Sequence, residues 1–203
     1  MSIQATARRR WLQASLGISA VAVSLGGTVL AAALSPWFSP FRNALSDLGA
    51  AGRAVAPLFN GGLLVGGALG AGFVVAVWDD TDDPVRRGAL VLLFVALVSM
   101  ALVGAFPLPS ALHFVFAPLF FFLTTMGVFV WGVGDFAVGR SDRGAVLVLA
   151  SATHVAAWLW WGLLGWTAPG IAVPELVGSA GLSAWALWLS LDRWPDPIEP
   201  DRL

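Results

Sequence analysis

The sequence predicts an all-α integral membrane bundle of six transmembrane helices. Three observations predict it. Of 203 residues, 58% are hydrophobic and 11% charged, whereas a soluble domain carries about 25% charged residues. Mean hydropathy is +0.83, and six apolar runs are each long enough to cross about 30 Å of hydrocarbon at about 1.5 Å per residue. The eleven basic residues are all arginine, and they gather between alternate runs. Composition also bounds the chemistry. The absence of cysteine excludes disulfides, thiolate nucleophiles and zinc–thiolate centres. A net charge of −1 offers no basic footprint for nucleic acid.

The expected spans are Gln13–Leu34, Val55–Trp78, Gly88–Phe106, Leu112–Gly134, Gly144–Trp166 and Ile171–Leu191. The first follows Arg8, Arg9 and Arg10, but its apolar core is too long for a signal peptide, so it reads as a retained helix. Ser24, Thr28 and Ala32 form a small-residue stripe on it, and Gly62, Gly66 and Gly70 form a longer one on the second span. Such stripes let helix backbones approach closely in lipid, within the chain or in a homo-oligomer. Asp79, Asp80, Asp82 and Asp83 lack the spacing of a calcium loop and read as a solvated turn. Pro118 frees a carbonyl within the fourth span. Residues 195–203, rich in proline, read as a loose tail on one single domain.

Arginine placement predicts orientation. Arg8, Arg9, Arg10, Arg86, Arg87, Arg140, Arg143, Arg193 and Arg202 fall on one side, and only Arg42 and Arg53 on the other. Both termini are therefore expected in the cytoplasm, with the protein multi-pass in the cell membrane. Trp11, Trp37, Trp78, Trp166 and Trp194 flank the spans as interfacial belts do. Acid-rich loops without lysine suit a halophilic, archaeal source.

The least ordinary connector is Ser39–Gly49. Ser39 and Pro40 resemble an N-cap and first turn, and Gly49 a stop. Phe41, Ala44, Leu45 and Leu48 then share one face, and Arg42, Asn43, Ser46 and Asp47 the other. The spacing predicts a two-turn amphipathic helix over about 40–48, serving as an interfacial brace or as a lid presenting Asp47 and Arg42 to a cavity. Arg42 to Leu48, closed by Gly49 and followed by Phe59 and Asn60, resembles the domain of unknown function 998 family, small prokaryotic membrane proteins with about six helices. The resemblance implies a compact six-helix bundle across the whole chain and supplies no activity. Ser46, Asp47, Gly49 and Asn60 match its motif.

Ionisable groups within spans are costly without a partner and mark candidate sites. His154 lies near the middle of the fifth span and needs both a donor and an acceptor, with Thr124, Thr125 and Ser99 at comparable depth. His113 opens the fourth span and Glu175 the sixth, at one level on the outer side. The candidate ligand-binding set is therefore Arg42, Ser46, Asp47, Asn60, His113, His154 and Glu175. Two histidines with two carboxylates suit a zinc-like ion, but no His-x-x-x-His or Glu-x-x-His pair supports one, and no cofactor is implied. Three functions fit this set. The first is binding of a small polar or amphiphilic ligand, or a lipid headgroup, at the outer mouth. The second is a membrane hydrolase or lipid-modifying enzyme using His113, Asp47 and His154, with or without a metal. The third is a small proton-linked carrier using His154. Ser46 and Asp47 are adjacent, so they point about 100° apart on a helix and do not form a nucleophile with its orienting acid.

Overall fold

The computed structural model describes residues 3–164 and 170–194. Within them lie six α-helices: α1 (Ile3–Ala33), α2 (Ala56–Trp78), α3 (Pro84–Ala105), α4 (His113–Ala137), α5 (Ser141–Leu164) and α6 (Ala172–Leu191). A short 3₁₀ helix, Leu45–Gly49, stands between α1 and α2. The expected tail 195–203 and belt residue Trp166 lie outside the described residues.

Local signals explain several boundaries. Asp83 caps α3 by accepting the Arg86 N–H at 2.8 Å, with Pro84 in the first turn. Gly139, at φ +79°, supplies the left-handed turn after α4. α1 begins at Ile3, well ahead of the apolar run, so Arg8, Arg9 and Arg10 are carried on the helix itself.

Consecutive helices pack side by side, and α6 closes the arrangement by contacting α1, α4 and α5. The small-residue stripes are used inside the chain. A Cβ on Gly62 would stand 3.0 Å from the Val23 carbonyl, and one on Gly66 would stand 2.6 Å from Ser24 Cβ, so α1 and α2 meet backbone to backbone. Gly67 meets the α3 backbone at Leu97 and Ala101, and Gly70 meets the Leu97 side chain. The main core joins Phe73, Leu90, Leu93, Trp131 and Trp185, with the Trp185 ring edge-on to both Phe73 and Trp131.

Helices α1 to α5 are long and apolar enough to cross a membrane, whereas α6 falls below that apolarity. Its position accounts for this. α6 buries Glu175 and Ser190 and turns Ser179 and Ser183 toward its neighbours, so its polar groups are sheltered by helices. The outer surface has the opposite character. Leu34, Val75, Phe114, Phe122, Leu149 and Leu163 all stand exposed, a continuous apolar coat that suits lipid better than water.

One local expectation fails. Residues 40–48 do not form a two-turn amphipathic α-helix; 40–42 are turn, and helix appears only at Leu45–Gly49, in the tighter 3₁₀ form. Side chains compete for the backbone here. Asn43 Oδ1 accepts the Ser39 N–H at 3.0 Å, and Asp47 Oδ2 accepts the Ala44 N–H at 3.0 Å. Each bond offers the backbone an alternative to the α-helical ladder.

Candidate functional site

The 34–55 connector is folded against α2 and α6. Asn43 Nδ2 donates to Asp47 Oδ2 at 3.1 Å, which ties the two polar side chains of the motif together. Gly170 N–H donates to the Phe41 carbonyl and Ala172 N–H to the Asn43 carbonyl, each at 3.0 Å. Leu45 N–H then donates to Glu175 Oε2 at 2.7 Å. These three bonds zip the connector along the start of α6. Gly170 has no room for a side chain, since a Cβ would stand 2.4 Å from Asn43 N. On the other side, Asn60 Nδ2 donates to the Gly49 carbonyl at 2.9 Å. Buried Leu45 and Leu48 pack with Ala31, Phe59 and Ala172 beneath the connector. Arg53 stacks over the Trp37 ring at 3.8 Å and closes the outer edge.

Under this cap lies a cavity of about 60 Å³ between α1, α2, α3, α4 and α6. Its walls are mostly apolar, including Leu45, Phe59, Met100, Phe120 and Leu182. Its polar lining is Ser24, Thr28, Ser46, His113, Glu175, Ser179 and Ser183. Most of these groups present acceptors. Ser24 donates to the Ala20 carbonyl, Thr28 to Ser24 and Ser179 to Glu175, each one turn back, so their lone pairs are what remain. His113 Nδ1 lies 3.2 Å from the Phe106 carbonyl, which accepts only, so Nδ1 carries the proton and Nε2 is left as an acceptor in the neutral ring.

The predicted residues therefore divide. Ser46, His113 and Glu175 share the cavity. Asp47 and Asn60 hold the cap in shape through the bonds above, and Arg42 is exposed and does not line the cavity. No direct His113–Glu175 bond forms. His154 stands apart, beside a void of about 10 Å³ with Thr125, Ser151 and Gly178. Trp158 Nε1–H donates to His154 Nε2 at 2.8 Å, and Nδ1 lies 2.7 Å from Thr125 Oγ1. Thr125 in turn donates to the Phe121 carbonyl at 2.8 Å. The chain of donors is closed by a neutral His154 protonated at Nδ1. Thr124 and Ser99, set beside it by depth alone, make no bond to it. Among the described residues no three His, Asp or Glu side chains are grouped as a metal site requires.

Ser179 and Ser183 were not predicted as site residues, and Ser24 and Thr28 were read only as packing. A signal for two of them exists. Glu175, Ser179 and Ser183 recur every fourth residue, one polar stripe along the first half of α6.

Residues 18–192 match the family model described as Protein of unknown function (DUF998). The chain belongs to the DUF998 family. Among curated proteins and among solved structures nothing matches it. Within this DUF998 chain the motif residues have concrete work. Asp47, Gly49 and Asn60 shape the cap, and Ser46 faces the cavity that the cap covers.

Proposed function

We propose that this DUF998 protein is a multi-pass protein of the cell membrane, with six spans and both termini in the cytoplasm, that binds a small amphiphilic ligand beneath its outer cap. The ligand is a hydrogen-bond donor, an ammonium or hydroxyl head with an apolar tail. One observation carries this reading: Ser24, Thr28, Ser179, His113 and Glu175 turn acceptors into a cavity with apolar walls and no lining arginine. A volume of about 60 Å³ is well short of the roughly 300–1,000 Å³ of whole-ligand pockets, so it admits a headgroup-sized moiety. The tail would lie in lipid or along the Leu25 and Phe121 wall. α6 counts as the sixth span in this reading because its polar groups face protein.

The test compares dodecylammonium, dodecanol and dodecanoate as additives to the purified protein in a neutral detergent, read by thermal unfolding. Ammonium or alcohol raising Tm while carboxylate does not is the expected result. Glu175→Gln replaces one carboxyl oxygen with an amide nitrogen but keeps an oxygen for the Leu45 N–H, so loss of ammonium binding with an unchanged fold is expected. Equal responses to all three additives, or an unaltered response in Glu175→Gln, would overturn the proposal.

A further inference from the structure

The opposite end of the bundle holds a larger and quite different cavity. The start of α1, the α2–α3 and α4–α5 turns and the end of α6 meet there. Arg9 bridges Asp79 at 3.3 Å and Asp80 at 3.2 Å, Arg10 donates to the Asp192 carbonyl at 3.0 Å, and Arg143 pairs with Asp192. The cavity these contacts enclose measures about 440 Å³, within the size range of small-molecule pockets. Arg9, Arg10, Arg86, Arg140 and Arg193 line it, against the carboxylates of Asp80 and Asp192 alone.

Arginine at this end is expected from topology, but topology does not require convergence. Nor does it leave guanidiniums unpaired in loops so rich in aspartate. Both lining carboxylates are already engaged, Asp80 by Gln13 and Arg9 and Asp192 by Arg143. Arg86 sits between Asp83 and Asp135, at 3.8 and 3.6 Å. Arg10, Arg140 and Arg193 have no carboxylate at ion-pair distance among the described residues. Among the described residues the Arg193 guanidinium donates to the Leu189 carbonyl at 3.2 Å. Burial pulls its guanidinium down to about 10, opposed by the Asp80 and Asp192 carboxylates and aided by Arg140 and Arg143, so it remains charged at neutral pH. The cavity wall therefore carries more guanidiniums than carboxylates, an excess of positive charge that an anion would offset.

We infer that this arginine-lined cavity binds a phosphate-class oxyanion, with Arg140 and Arg193 as its principal ligands and Arg10 at the rim. Guanidinium forks match tetrahedral oxyanions in geometry and charge. The oxyanion has two sources, a water-soluble phosphate compound or the headgroup of an anionic phospholipid of the adjacent leaflet. Ligand and face both differ from those of the outer cavity, so the inference stands independently of that reading.

Full-length protein in phosphatidylcholine nanodiscs, titrated with inorganic phosphate at low salt by calorimetry, tests the soluble source. Extraction from vesicles containing phosphatidylglycerol, followed by native mass spectrometry, tests the lipid source. Saturable phosphate binding, or retention of phosphatidylglycerol over phosphatidylcholine, supports the inference and tells the sources apart. Arg140→Gln is exposed and should fold normally, and either it or Arg193→Gln should weaken binding about tenfold or more. Arg193→Lys should restore part of the loss, and Arg53→Gln at the other end should change nothing. Absence of both phosphate binding and anionic-lipid retention would overturn the inference, including the case in which acids of 195–203 fill the cavity. Undiminished binding in the Arg140→Gln, Arg193→Gln double variant would overturn it equally.

Discussion

Glu175 Oε2 accepts the backbone N–H of Leu45 at 2.7 Å, joining groups 130 residues apart in sequence. The bond satisfies the first turn of the 3₁₀ helix and fixes the cap over the cavity beneath it. It also gives Glu175 two roles, as anchor and as lining group.

Those roles separate by substitution. Glu175→Ala leaves a buried N–H without an acceptor, so it should lower stability by about 1–3 kcal/mol. Glu175→Gln should lose much less, because its amide oxygen still accepts. Reversible unfolding in mixed micelles measures both.

Gly49 and Asn60 are coupled by space as well as by hydrogen bond. A Cβ on Gly49 would stand 2.1 Å from Asn60 Oδ1 and 2.7 Å from Phe59 Cδ1. Gly49→Ala should therefore destabilise by about 1–3 kcal/mol, as overpacking does. Asn60→Ala removes the nearer obstacle along with the bond to Gly49, so the double variant should cost less than the two single losses combined. A double-mutant cycle of thermal unfolding reads this directly.

His154 is a structural link between α4 and α5 lying on a glycine of α6. A Cβ on Gly178 would stand 2.4 Å from the imidazole Cε1 and Nε2. Gly178→Ala should cost about 1–3 kcal/mol through that contact. Trp158→Phe removes the donor to Nε2 and should cost about 1–3 kcal/mol by leaving a buried acceptor unmet. Nitrogen NMR of labelled protein should find the proton on Nδ1; a proton on Nε2 would contradict the bonding pattern.

Asp135 is fully buried, with Arg86 Nη1 3.6 Å away and the Arg86 guanidinium 5.6 Å from the Trp131 ring. Asp135→Ala leaves Arg86 with Asp83 alone, at 3.8 Å, and should cost about 1–3 kcal/mol. Arg86→Met with Asp135→Leu should recover much of that loss, because apolar replacement of a buried pair is often neutral. Unfolding of the single and double variants decides it.

The absence of cysteine makes the chain a clean background for topology mapping. Ala54→Cys, beside the outer cap, should react with an impermeant maleimide in intact cells. Ser141→Cys and Trp194→Cys should react only after permeabilisation. Labelling of Trp194→Cys from outside would remove α6 from the spans.

Much of the fold was legible because its determinants are local. Apolar runs of sufficient length and turn residues are each read within a short window. The segment 40–48 was misread because hydrophobic periodicity ignores side chains that bond to their own backbone. Asn43 and Asp47 do so, and they replace an α-helix with a tight cap. Ser46 in the connector and His113 and Glu175 in the first turns of their helices were legible as polar residues beside long apolar runs. The hydroxyls of Ser24, Thr28 and Ser179 were not, because the same residues serve as small packing groups.

The sequence by itself determined an all-helical, lipid-suited chain and the approximate place of its six long helices. Those follow from composition and from spacing along one strand of text. The tertiary structure decided which polar groups meet. It put Glu175 on Leu45, isolated His154 between Thr125 and Trp158, left Arg42 outside and gathered five arginines around one cavity. The physical reason is distance. Hydrogen bonds and charge interactions in these sites act over a few ångströms between helices far apart in sequence, and only packing sets that separation.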